Sequence, residues 1–182
     1  MRQRQNPYNA LIYFSQGAYI ELMAGTGMPA AKKLLRLLGK GKFADRMDGW
    51  ENSPEGLCGA AIENDKANLN EEVRFLAGHG QACFGVNSRR NDTEGRKLRF
   101  KCAFPDEIQI PFMMTYFNID PKPKNFTHPN GAVRVKSVEF GTQAKLLPLI
   151  SHLCGDAALV LYEGQGIRNL QIEYSDKSCK KF

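Results

Sequence analysis

Two short apolar runs near the start, Asn9-Ala-Leu-Ile-Tyr-Phe14 and Ala18-Tyr-Ile-Glu-Leu-Met23, constrain the fold more than any other feature. Both are rich in aromatic and β-branched residues, and Gln16-Gly17 lies between them. That pattern predicts two strands around a tight turn. In the second strand Tyr19, Glu21 and Met23 share one face, with Ile20 and Leu22 on the other. A carboxylate inside so apolar a hairpin is costly to bury unpaired. Glu21 therefore faces water or meets a partner inside a curved sheet, and both readings stand at this point.

The remaining chain alternates short strands with short helices. A glycine- and proline-containing break at 24–29 leads into residues 30–38, where Leu34, Leu35, Leu37 and Leu38 give a helix an apolar stripe. Gly39 and Gly41 end it; they sit outside any phosphate-loop motif. Phe43, Met47 and Trp50 recur at helical spacing and predict packing. Residues 57–62 read as a short buried strand. Asn68 with Glu71 three residues on signals a capping box, and the following helix presents Leu69, Val73, Leu76 and Ala77. Strands are expected at 83–90, 97–104 and 108–117. The middle one is clearest, with Leu98, Phe100 and Cys102 alternating against Arg99 and Lys101.

Residues 57–117 thus read β-α-β-β-β. A proline-rich crossover at 118–131 leads to a strand at 132–140, whose alternation breaks near Ser137 as at a bulge. A helix lined by Leu146, Leu149, Ile150 and Leu153 follows, with Pro148 either kinking it or marking its first turn. Strands at 157–162 and 167–174 complete a second β-α-β-β unit, and 176–182 is expected to fray. The fold class expected is α+β: repeated βαβββ modules with curved, mostly antiparallel sheets. One domain spans 1–182, with sub-modules at about 7–56, 57–120 and 128–175.

Composition narrows the function classes. A chain of 182 residues with 42% hydrophobic content can bury one good core. No run approaches the ~18 apolar residues of a membrane span, and no apolar signal segment follows Met1-Arg-Gln-Arg-Gln-Asn6. A cytoplasmic, non-membrane protein is expected. The net charge is +6. Its densest groups are Arg89-Arg90 with Arg96-Lys97, Arg99 and Lys101, and the tail 177–181. No contiguous basic face with interleaved aromatics is visible, so nucleic acid is not an expected partner; an anionic small molecule suits the surplus better. Five cysteines, at 58, 83, 102, 154 and 179, show no metal-type pairing.

Taken together, Asn9-Ala-Leu-Ile-Tyr-Phe14, Tyr19-Ile-Glu-Leu22, Ser88-Arg89, Ile110-Pro-Phe112 and His128-Pro-Asn-Gly131 resemble the glyoxalase-like domain family. This family belongs to the vicinal oxygen chelate superfamily, which includes glyoxalases, bleomycin-resistance proteins and dioxygenases. The resemblance runs over nearly the whole chain, in family order. It implies paired βαβββ modules around a cleft, often with a divalent metal and lyase, isomerase or dioxygenase chemistry on vicinal oxygens. Against the family pattern, the hairpin is reached by Asn9 without an opening strand–helix unit. The resemblance therefore implies an incomplete metal site unless a second subunit completes it.

Candidate residues follow from both readings. Glu21 is the candidate base or metal ligand, and His128 the candidate ligand or general acid. Glu173 would complete a Glu21, His128, Glu173 metal set. Arg89 is the candidate anion clamp, and Asn9, Tyr19 and Asn130 are further substrate-binding candidates. For each a structural role competes: a surface ion pair for Arg89, a rigid turn for His128 and Asn130, a core phenol for Tyr19. The function expected is binding of a small oxygenated ligand in a sheet cleft, with metal-assisted chemistry. A metal-free ligand-binding or resistance-type protein is the alternative, in which Glu21 and His128 do not converge. A homodimer is expected, because the hairpin leaves strand edges uncovered. As a third reading, a subunit that completes another chain would show an apolar edge beside residues 9–23.

Overall fold

The computed structural model describes residues 9–23 and 29–182; the expected break at 24–28 lies outside the described residues. Strands β1 (Asn9–Ile12) and β2 (Ile20–Met23) pair antiparallel, with Leu11 opposite Glu21 and Ile12 opposite Ile20. Their connection runs over residues 13–19 and is wider than the expected tight turn. The ladder stops early because Phe14 and Tyr19 pack onto other strands. Helices α1 (Pro29–Leu37) and α2 (Gly41–Glu51) follow.

Two units of the same element order come next. The first is β3 (Ala61–Asn64), α3 (Asn70–Gly78), β4 (Cys83–Asn91), β5 (Lys97–Pro105) and β6 (Phe112–Thr115). The second is β7 (Ala132–Thr142), a 3-10 turn, α4 (Leu147–Leu153), β8 (Leu159–Glu163), β9 (Gly166–Tyr174) and β10 (Cys179–Lys181). The architecture is α+β, as expected, yet the sheets are wired differently. The first sheet runs β3-β6-β5-β4 and the second β10-β9-β7-β8. A parallel pair needs a crossover. In the second unit α4 is itself the crossover between parallel β7 and β8. In the first, α3 carries the chain past to the far edge, and β6 returns to lie parallel to β3.

Several expectations are corrected in detail. The tail does not fray: β10 pairs antiparallel with β9, and Leu170 and Phe182 exchange backbone hydrogen bonds at 3.0 and 2.9 Å. The strand expected at 57–62 begins only at Ala61. Asn68 does not cap α3; its Oδ1 accepts the Asn70 N–H at 3.0 Å in an Asx turn one step upstream. Pro148 sits in the first turn of α4, where its missing N–H costs no helical bond. The bulge is present, with a register shift between Val135 and Ser137.

Three apolar clusters hold these layers together. Ile62, Leu76, Met113, Leu146 and Ile150 pack on the side of the first sheet that carries α3. On its opposite face Met47 of α2 packs with Leu98, Cys102, Phe104 and Met114. Phe14 packs with Ala132, Leu170 and Ile172 of the second sheet. Helix α1 turns its apolar stripe outward: Leu34, Leu37 and Leu38 are 55%, 77% and 64% exposed. Its inward face is polar, with Lys32 buried against Asp48 (2.6 Å) and Glu51, and Arg36 meeting Asp45 at 2.8 Å. Helix α2 is fastened by Arg46, whose buried guanidinium donates to the carbonyls of Pro105, Glu107, Ile108 and Ile110 at 2.8–3.3 Å. Burial draws its pKa down to about 10.

Candidate functional site

The hairpin is wedged between the two sheets. Leu11 and Tyr19 pack on the first sheet, while Ile12, Phe14 and Ile20 pack on the second. Its turn is held by the Gln16 N–H and Ser15 Oγ, both donating to the Val133 carbonyl at 3.1 and 3.2 Å, and by Lys122 Nζ donating to the Ser15 carbonyl at 2.7 Å. Period-two alternation does this work, since adjacent residues of one strand address opposite sides. Where the hairpin meets the first sheet, its polar atoms gather with those of β3 and β4.

The centre of that gathering is Glu63, opposite Met114 on the sheet. The Tyr19 hydroxyl lies 3.5 Å from Glu63 Oε2 and 3.5 Å from Met114 Sδ. Glu63 is reached by solvent, yet the surrounding protein desolvates its carboxyl and pushes the pKa up to about 6, against the lowering effect of the Tyr19 hydrogen bond. Burial, then the nearby Glu63 and Glu21 charges, push the Tyr19 phenol well above its ordinary value. It therefore stays a hydrogen-bond donor at neutral pH. The Tyr13 ring lies 5.6 Å from that of Tyr19. Burial raises its pKa to about 12, while the charge of Arg90 pulls the other way. The Tyr13 hydroxyl is buried without a hydrogen-bond partner among the described residues. Phe117, with its ring 6.5 Å from Tyr19, and Phe100 supply the apolar side.

Of the residues expected from sequence, the hairpin brings together Asn9, Tyr19 and Glu21. The Asn9 amide donates to Glu21 Oε1, and the Glu21 charge reaches Tyr19 and Cys102. The others lie elsewhere. His128 stacks on Phe14 at 5.9 Å, and its Nδ1 is 2.6 Å from Asn130 Oδ1, which also accepts the Ala132 N–H at 3.0 Å. These contacts make 128–131 a rigid turn, with Gly131 at φ 78°. Glu173 pairs with Arg134 at 3.0 Å. Glu21, His128 and Glu173 are thus engaged separately, and no group of three or more His, Cys, Asp or Glu among the described residues is placed to hold a metal ion. The set does not fit a metal. Arg89 lies on the opposite face of β4 from Arg90, beside Arg99 and Lys101.

Glu63, Tyr13 and Arg90 are the residues that sequence reading misses. Placing the buried strand at 57–62 left Glu63 outside it. Strand alternation from Phe84, which packs on the Phe43 ring, and Val86, which packs on the Met47 cluster, points to Ser88 and Arg90 rather than Arg89.

The described residues contain no helix long and apolar enough to cross a membrane. Comparison with curated proteins and with solved structures gives no significant match. A family model described as glyoxalase-like domain does match, over residues 3–149. This span takes in the hairpin, the whole first sheet and β7, one of the two strands on which Phe14 packs. By that match, over most of its length, the chain belongs to the glyoxalase-like domain family.

Proposed function

We propose that the chain binds a small oxygenated ligand beside Tyr19 and Glu63, and that Glu63 moves a proton there. One observation carries this: a carboxyl with a pKa of about 6 within reach of a phenol that stays protonated. Such a carboxylate is mostly ionised at pH 7 and is a stronger base than an ordinary glutamate, which suits abstraction of a proton α to a carbonyl. Arg90 and the unpartnered Tyr13 hydroxyl are the donors on this side for the oxygen on which negative charge develops. Glu21, held by Asn9, forms the rim.

The test is proton exchange at the α-carbon of a simple hydroxyketone in D2O, followed by NMR. Wild-type protein should catalyse exchange with a rate that rises through pH 6, and Glu63→Gln should lose about a hundredfold or more. A second reading, ligand binding without catalysis, is favoured by the separate engagement of Glu21 and His128. Saturable binding in both proteins with no exchange in either would decide for it. Association of two copies along the hairpin's outer edges belongs to the same proposal. Among the described residues β1 and β2 pair only with each other, and Leu22 beside them is 53% exposed. Sedimentation of a single monomeric species across concentration would remove it.

A further inference from the structure

The face of the first sheet on the side of α3 carries a groove of about 980 Å³, which shares only Phe100 and Phe117 with the residues placed around Tyr19 and Glu63. Four cations line it, Lys66, Arg89, Arg99 and Lys101, against one carboxylate, Asp65. Lys66 is already taken by Glu71 (2.5 Å) and Glu72 (3.3 Å). Arg89, Arg99 and Lys101 have no carboxylate within ion-pair distance among the described residues. Elsewhere in the molecule Arg36, Arg96, Arg134 and Arg168 each pair with a carboxylate, and the two terminal nitrogens of Arg46 donate to carbonyls. Arg74 and Arg90 also lack an ion pair among the described residues, but in the groove two such guanidinium groups face each other across one ladder.

Their placement sharpens the point. Arg89 and Arg99 sit directly opposite each other on antiparallel strands, the arrangement in which like charges destabilise a sheet. Lys101, two residues on, projects from the same face. Asn118 Oδ1 accepts the Arg99 backbone N–H at 2.6 Å, which leaves its amide NH2 as a further donor. Donors thus outnumber the one carboxylate, Asp65, that lines this space. An oxyanion with two or more charges, bridging the two guanidinium forks, would turn the repulsion into charge-assisted hydrogen bonds.

We propose that this groove is a second ligand site, separate from the Glu63 face, that takes a small molecule carrying a phosphate or diphosphate group. The size of the groove suits such a molecule, and the cations are confined to one end of one sheet rather than spread along a track. The proposal does not depend on the proton-transfer reading.

The experiment is calorimetric titration of the full chain with inorganic pyrophosphate, paired with thermal melts. Wild type should bind one equivalent saturably. Arg89→Gln and Arg99→Gln should each weaken binding about tenfold or more, the loss expected for one charge-assisted contact. Both substitutions are at exposed positions. Without pyrophosphate each should raise Tm, because the cross-strand repulsion is relieved, and with saturating pyrophosphate wild type should melt above the variants. Glu63→Gln should bind pyrophosphate as wild type does, which separates failure of this site from failure of the Glu63 reading. Absence of saturable binding, or equal binding by the arginine variants, overturns the proposal. Tighter binding of a single-stranded oligonucleotide than of pyrophosphate also overturns it, in favour of a nucleic-acid surface.

Discussion

Glu63 and Arg46 show two opposite answers to placing charge within a small protein. Glu63 is desolvated with one weak donor, so its folded pKa of about 6 lies above the ordinary 4.5. The native state then holds the proton more tightly than the unfolded chain does. Below pH 4.5 both states are protonated and the group costs nothing. As pH rises from 4.5 to 6 stability falls, and above 6 the cost is constant. Glu63→Gln should therefore raise Tm at pH 7 and leave it unchanged at pH 4, as melts at the two pH values would show. Tyr19→Phe removes the donor that favours the carboxylate, so the Glu63 pKa should move higher still, measurable by carboxyl-carbon NMR titration. Arg46 is the reverse case: a buried cation whose donors meet four carbonyls. Arg46→Met keeps the stem but strands those acceptors, and should cost about 3 kcal/mol in a denaturant melt.

At the scale of elements, β10 is the informative case, because it is an edge strand that composition alone does not announce. Residues 176–182 are polar and basic, and such a tail reads as solvated. It becomes a strand because Leu170 and Ile172 are already buried on β9, and that strand needs a partner for its outer backbone groups. Leu170 and Phe182 form a hydrogen-bonded pair, and the Tyr174 N–H donates to the Ser178 carbonyl at 2.9 Å. Alternation along an antiparallel ladder then makes Lys180 and Ile172 the next bonded pair, with the Lys181 N–H turned outward. Lys180→Pro should accordingly destabilise by about 1–2 kcal/mol more than Lys181→Pro. Lys180→Ala serves as the control for the lost contact over the Tyr174 ring, and chemical denaturation reads all three.

The same contrast explains what could be read from the chain. Alternation such as Leu98, Phe100 and Cys102 against Arg99 and Lys101 reports a half-buried surface directly, so β4, β5 and β7 and the β-α-β-β-β order were legible. The apolar stripe of α1 was legible as a pattern but not as a direction. Burial of Lys32 against Asp48 and Glu51 rests on residues sixteen or more positions away. The candidate site was half legible: the hairpin motif gave Asn9, Tyr19 and Glu21, but Glu63, which Tyr19 meets, arrives only through strand pairing and tertiary packing.

At the scale of the whole molecule, the hairpin is the piece on which both sheets close. Phe14 is 2% exposed and packs among residues of the second sheet, while Tyr19, at the far end of the same connection, packs among those of the first. Removing the Phe14 ring therefore does more than open a cavity in one cluster. Phe14→Ala should cost about 3–5 kcal/mol, the usual range for a buried phenylalanine. Because the wedge then sits loosely, the desolvation of Glu63 should relax and its pKa should fall back towards the ordinary carboxylate value. A leucine at the same position keeps most of the buried volume and should restore much of the stability and the raised pKa together. Carboxyl titration by NMR across the three proteins makes this a test of coupling rather than of stability alone. If Phe14→Ala melts early while the Glu63 pKa stays near 6, the two faces of the hairpin are independent. If both move together and both recover with leucine, the packing on the second sheet sets the chemistry on the first.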